Sequence, residues 1–255
     1  MVRLKWAARS DVGMIRSGNE DNHDSDVNTN RGVFIVADGM GGHAAGEVAS
    51  LMAVQTVMQE LADIREIDDG GGAAGKLAES LRIANRAIHD RTLAESDKQG
   101  MGTTASVLVI DEKKYMIGQV GDSRVYLLRD GGLHQLTKDH SYVQEQVDAG
   151  FLTPEQAKYH PYSNVITRCV GASSDVEPDV YKGDAKAGDI FLVASDGLTG
   201  MVDDRRIHTL LMSRAEPERK VHSLISEANG RGGLDNITAI VVHVLGPEDG
   251  APDTK

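Results

Sequence analysis

The chain has 255 residues and a formal charge of −12, enough length for one substantial hydrophobic core or two small ones. The acidity excludes a partner held by many phosphate contacts, which requires a basic stripe. No apolar run approaches the roughly 18 residues of a membrane span, and the single cysteine, Cys169, excludes an internal disulfide.

The opening MVRLKWAARSD lacks the apolar core of a signal peptide, so a cytoplasmic protein with neither nucleic-acid nor membrane partners is expected. No Pro-rich or Ser/Gly-rich linker divides the chain. Residues 1–246 are therefore expected to form one domain, followed by a disordered tail at 247–255, whose PEDGAPDTK sequence has nothing to bury.

In chain order, strand patterns run over Leu4–Ser10 and Gly32–Ala37. Between them RSGNEDNHD carries Glu20 and Asp21. Two helical patterns follow, one from Glu47 with Leu51, Val54, Met58 and Leu61 on its apolar face, the other with Leu77, Leu81, Ala84 and Ile88. Strands return at Thr104–Ile110, Tyr115–Val120 and Arg124–Leu128, and the turns DEKK (111–114) and RDGG (129–132) imply antiparallel hairpins. From Asp139 to Gly171 the pattern breaks into short pieces that read as a small helical flap, where Thr153-Pro154-Glu155-Gln156 spells an N-cap, a proline at the first helical position and a capping-box glutamine. Strands at Val176–Lys182, Asp189–Ser195 and Ile237–Leu245 then enclose helices near Arg205–Met212 and Glu218–Asn229. Runs of strands with inserted helix pairs predict an α+β architecture with an antiparallel core.

Two apolar strands stop at Asp-Gly, VFIVADG at Asp38 and IFLVASDG at Asp196. Either alone reads as a turn. The dinucleotide fingerprint suggested by Gly39-Met40-Gly41-Gly42-His43-Ala44 fails, because no second parallel strand ends in an acid about 20 residues on. The Gly70–Lys76 match to a phosphate loop lacks its strand and its hydroxyl, and the Asp24/Asp26/Asn28 match to a calcium loop lacks its glycine and its closing glutamate. Taken together, Asp38, Asp196, Asp235 at the start of the last strand, and Glu20-Asp21 supply carboxylates that would repel one another unless divalent cations neutralise them. Oxygen ligands suit Mg²⁺ or Mn²⁺, and the glycine after Asp38 and after Asp196 lets the backbone approach the ion.

Eight stretches in order carry a resemblance: SDVGMIRSGNED, FIVADGMGGHAAGE, MGTTA, VGDSRVY, KDHSYVQEQVDAG, HPYSNVITRCVG, VASDGL and GLDNITAIVV. The chain resembles the metal-dependent protein phosphatases of the 2C family in their compact bacterial form, from about Ser10 to Val244. The resemblance implies a four-layer α-β-β-α sandwich, two central antiparallel sheets flanked by helix pairs, with a metal cluster at one end. It implies Mn²⁺ or Mg²⁺ held at one site by Asp38, Asp196 and Asp235, and at a second by Glu20, Asp38 and the carbonyl of Gly39. A weaker third ion would take Asp122 with Asp196, and Arg16 would bind the phosphate. The implied activity is hydrolysis of phosphoserine and phosphothreonine by a metal-bridging water, by a monomer acting on phosphoproteins of a Ser/Thr kinase pathway. A catalytically silent, regulatory phosphatase-fold module is the alternative from another class; an anti-sigma-antagonist phosphatase and a two-metal nuclease are further rivals.

Where many eukaryotic relatives have a histidine directly after Asp-Gly, this chain has Met40. His43 is the candidate general acid, with a structural histidine beside the glycine turn as the equal alternative. Tyr162 takes no substrate role, Gly102, Thr103 and Thr104 are expected to be buried packing, and Cys169 is expected in the core.

Overall fold

The computed structural model describes residues 3–28, 31–41, 45–64, 66–68 and 70–246; the expected tail at 247–255 lies outside them. Eleven strands are named among the described residues: β1 (Arg3–Asp11), β2 (Asp21–Val27), β3 (Arg31–Met40), β4 (Gly102–Thr103), β5 (Ala105–Asp111), β6 (Lys114–Val120), β7 (Arg124–Arg129), β8 (Gly132–Gln135), β9 (Asp179–Asp184), β10 (Ile190–Ala194) and β11 (Ile237–Leu245). They form two antiparallel sheets, one ordered β1-β11-β10-β7-β8, the other β2-β3-β5-β6-β9 with β4 paired to β3. Helices α1 (Ala45–Leu61) and α2 (Gly72–Ala94) follow β3. The short α3 (Tyr142–Asp148) and α4 (Pro154–Lys158) lie in the flap, and α5 (Asp196–Thr199), α6 (Asp204–Met212) and α7 (Pro217–Gly230) precede β11.

Period-two alternation in strands apolar on both faces explains the layering. In β3, Phe34 and Val36 point between the sheets, where they meet Leu108, Ile117, Phe191, Val193, Ile240 and Val242. Its other face, Val33, Ile35 and Ala37, packs on α1 and α2 through Ala49, Ala53, Val57, Leu77, Leu81 and Ile88. On the opposite side Leu192, Ala239 and Val241 pack on α6 and α7 through Ile207, Leu211, Leu224 and Ala228. Three apolar layers thus stack as helices, sheet, sheet, helices, the expected α-β-β-α sandwich. The capping box at Thr153 and Gln156 is formed, and the RDGG hairpin turns through Asp130 and Gly131, both with positive φ.

Several details differ from the sequence reading. Leu51 is exposed, because the buried stripe of α1 runs through the small residues Ala49 and Ala53 instead. Asp21–Val27 is a strand, polar along its length because it sits at a sheet edge. Cys169 is only half-buried, on the returning arm of the flap rather than in any of the three apolar layers. VGDSRVY, to which the sequence assigns no pairing, joins the two sheets: β6 belongs to one and β7 to the other, so the chain changes sheets at Gly121–Ser123.

Candidate metal centre

Asp38 lies near the C-terminal end of β3, Asp196 follows β10, Asp235 precedes β11, and the sheet change carries Asp122 to the same end of the sandwich. Each position follows from where an apolar strand runs out. Glu20 joins them through its backbone: its N–H donates to Asn236 Oδ1 at 2.8 Å, and its carbonyl accepts from Gly39 N at 3.2 Å and from Ser50 Oγ. Gly39 cannot be larger, since a Cβ there would collide with the carbonyl oxygens of Gly46 and Glu20. Gly46 is confined likewise, by Gly39 and the Glu20 carboxylate.

Arg16 Nη2 lies 2.8 Å from Asp235 Oδ2. Among the described residues no three His, Cys, Asp or Glu side chains close to the spacing of a bound ion. Burial, then Asp21, Asp196 and Asp122, raise the Asp38 carboxyl well above the usual range. Asp122 is pushed up to about 8, first by burial and then by Asp196. Asp196 is raised by burial and by Asp235, against the pull of Arg124 and Arg16. Glu20 is raised by burial, against Arg16. Such mutual repulsion away from water is what cations relieve.

Orphaned oxygens test the fit. Oδ1 of Asp122, Oδ1 of Asp196 and Oδ1 of Asp21 are buried with no hydrogen-bond partner, although buried carboxylates ordinarily find one. The donor set is all oxygen, which suits Mn²⁺ or Mg²⁺. The residues present therefore fit the expected ions, and the structure brings Glu20, Asp38, Gly39, Asp122, Asp196, Asp235 and Arg16 to one end of the fold. His43 lies outside the described residues.

Asp21 is the site residue the sequence reading left without a role. It is 5% exposed and pairs with Asp38 across β2 and β3. Its Oδ2 accepts from Ser195 Oγ at 2.8 Å and Thr238 Oγ1 at 2.6 Å, so one carboxylate ties both sheets together. Burial pushes it up to about 7 despite those donors. Asn236 was missed as well: its Nδ2 donates to the carbonyls of Val12 and Gly18, each at 2.9 Å, and laces the arginine loop to β11. The readable signals were hydroxyl residues bordering two apolar strands and an asparagine beside an aspartate.

The Asp122 turn is rigid. Gln119 Nε2 donates to the carbonyls of Gly121 and Ser123, Ser123 Oγ pairs with Thr104 Oγ1 at 2.7 Å, and Thr104 Oγ1 also accepts from Asp38 N at 2.9 Å. Thr103 and Thr104 are fully buried, as expected. His140, at the base of the flap, clasps Gly121 in both directions: its N–H donates to Gly121 O at 2.9 Å, and Gly121 N donates to its Nδ1 at 3.1 Å. Arg124, beside the turn, forks onto Asp139 at 2.7–3.0 Å.

Residues 15–228 match the family model described as protein phosphatase 2C. The chain is 42% identical over 244 residues to serine/threonine protein phosphatase PstP of Mycobacterium tuberculosis, covering 95% of this chain but 45% of that protein. It is 41% identical over 234 residues to protein phosphatase PhpP of Streptococcus pneumoniae, covering 91% and 94%. Among solved structures, the catalytic domain of PstP in complex with two manganese ions superposes with a TM-score of 0.84 at 39% identity, covering 96% of this chain and 100% of that one. The chain thus spans less than half of the full-length PstP and nearly all of PhpP.

Proposed function

The chain belongs to the protein phosphatase 2C family, and from that membership we propose that it is a metal-dependent protein serine/threonine phosphatase that hydrolyses phosphoserine and phosphothreonine esters. One observation carries the reading: acidic groups from both sheets gather at one end of the sandwich, three of them with buried, partnerless oxygens, beside the half-exposed Arg16.

Asp38, Asp196 and Asp235 would hold one ion, Glu20, Asp38 and the Gly39 carbonyl a second, and Asp122 with Asp196 a weaker third. When bound, Mn²⁺ or Mg²⁺ lowers the pKa of coordinated water and neutralises charge on the phosphoryl oxygens. The chain's own residues do the rest. Arg16, leaving Asp235 to the ion, turns its planar fork onto two phosphoryl oxygens and fixes the ester. Asp21, held by Ser195 and Thr238, keeps the ends of β2, β3, β10 and β11 in register, which sets the ligand spacing. The silent-module alternative is disfavoured because every expected carboxylate is present.

Residues 1–246, including the flap at 139–171, form the single catalytic domain in this reading, monomeric and cytoplasmic, acting on phosphoproteins in a signalling pathway with a Ser/Thr kinase. Among the described residues no helix is long and apolar enough to cross a membrane. A phosphothreonine-peptide assay tests the activity: phosphate release should require Mn²⁺ or Mg²⁺ and stop with EDTA. An undiminished rate in EDTA would overturn the reading.

A further inference from the structure

Two loops carry the Arg16–Asp235 pair, and in each the residue just before the charged one is apolar and exposed: Ile15 at 68% and Leu234 at 56%. Met14 at 66% and Val12 at 37% extend the same surface. Scattered exposed apolar residues need no explanation, but a cluster beside a functional site does.

The cluster is held in place. Met14 N donates to Gly233 O at 2.8 Å, Asn236 Nδ2 grips Val12 O and Gly18 O, and Gly13 N donates to Asp11 Oδ1 at 3.0 Å. Gly13 has positive φ, and a Cβ there would strike the Asp235 carbonyl. The two loops are thus locked to each other, and their apolar side chains stand in solvent on a pinned backbone. Preorganisation of this kind lowers the ordering cost of binding.

We propose that Ile15 and Leu234, with Met14, form a specificity subsite that receives an aliphatic side chain within two positions of the phosphorylated residue. This rests on the phosphatase reading. With the phosphate on Arg16, the neighbouring peptide residues pass over the residues adjoining Arg16, and those are apolar. The net charge of −12 and the acidic centre select against acidic flanks, and the exposed Met14, Ile15 and Leu234 add an apolar contact on this rim.

The test uses phosphothreonine peptides that differ only by Leu or Gly at each of the two positions on either side of the phosphothreonine, with para-nitrophenyl phosphate as a substrate too small to reach the rim. Wild type should favour Leu at one of these positions by about tenfold in KM, the discrimination typical of a small apolar contact. Ile15→Ser and Leu234→Ser should lose that preference while their Mn²⁺-dependent turnover of para-nitrophenyl phosphate is unchanged. The proposal is overturned if wild type shows no Leu preference, if both variants keep it, or if both substrates decline together, which would mean the Arg16 loop was disturbed. It is also overturned if the variants change only the sedimenting mass, which would make the patch a contact between two copies of the chain. No Mn²⁺-dependent turnover of para-nitrophenyl phosphate by wild type would instead overturn the phosphatase reading, and the subsite with it.

Discussion

Asp21 stands opposite Asp38 in the β2–β3 register, yet the two carboxyls are held by different means. Asp21 takes hydroxyl donors from Ser195 and Thr238 in the other sheet, whereas Asp38 is buried beside further acids, and burial with Asp21 and Asp196 raises its carboxyl well above the usual range. One fastens the sheets together, and the other is left to a cation.

Removing a hydroxyl should therefore loosen metal binding without unfolding the protein. Thr238→Val is expected to weaken Mn²⁺ affinity by roughly 10–100-fold, the usual cost of losing a residue that supports a ligand, and Thr238→Ser to recover most of it. Calorimetric Mn²⁺ titration of both variants decides; equal affinity in Thr238→Val would reduce the network to packing.

Asp38→Asn, Asp196→Asn and Asp235→Asn should each cost more turnover than that. Each also removes one member of a repelling cluster, so thermal stability without metal should be equal to or above wild type, while the rise in Tm on adding Mn²⁺ shrinks. Melting curves with and without Mn²⁺ check both halves; a variant with normal turnover at low metal is not a ligand.

The raised carboxyls set a pH dependence with a definite sign. Asp21 near 7 and Asp122 near 8 hold more protons folded than unfolded. Without metal, stability should fall as pH rises from the ordinary carboxylate range through about 8. Mn²⁺ must displace those protons, so its stabilisation should be larger at about pH 8.5 than at about pH 6. Tm that rises with pH over this window in EDTA would contradict the assignment.

Arg16 and Asp235 form an exposed pair, worth about 0–1 kcal/mol of stability at most. Arg16→Ala should leave Tm nearly unchanged, raise KM for phosphopeptide and lower kcat, because the fork meets both ground-state and transition-state oxygens. Arg16→Lys should restore only part, for want of the second parallel donor. Unaltered kinetics in Arg16→Ala would assign the phosphate to another cation.

Asp122 invites a bland reading as a turn aspartate, but its buried Oδ1 accepts nothing. Asp122→Ala is expected to keep the two-ion centre and lose phosphopeptide turnover more than peptide binding, with little rescue by excess Mn²⁺. Metal titration and kinetics on the same sample separate this from a structural role, in which both fail with unfolding.

The parts of this fold that could be read in the sequence were those where one force dominates. The apolar runs ending at Asp38 and Asp196 announce strands buried on both faces, and carboxylates with no basic partner announce a cation. β2 was hidden because DNHDSDV, at a sheet edge, has no alternation to display. The sheet change at Asp122 was hidden because VGDSRVY has the local chemistry of a hairpin turn, and only the packing of two sheets distinguishes the two. Asp21 counted among the acidic residues, but its role in tying the two sheets was hidden because its partners lie 174 and 217 residues away, a separation no local pattern encodes.

The flap leaves and rejoins the sandwich through a zipped stem. Thr167 N donates to His140 O, Tyr142 N to Val165 O, and Ser141 bridges Ile166, directly above the clasp of His140 on Gly121. The stem works as an insulator. A substitution in residues 143–164 meets this closed backbone ladder before it reaches the His140 clasp on Gly121, so the Asp122 turn should hold its shape while the tip changes.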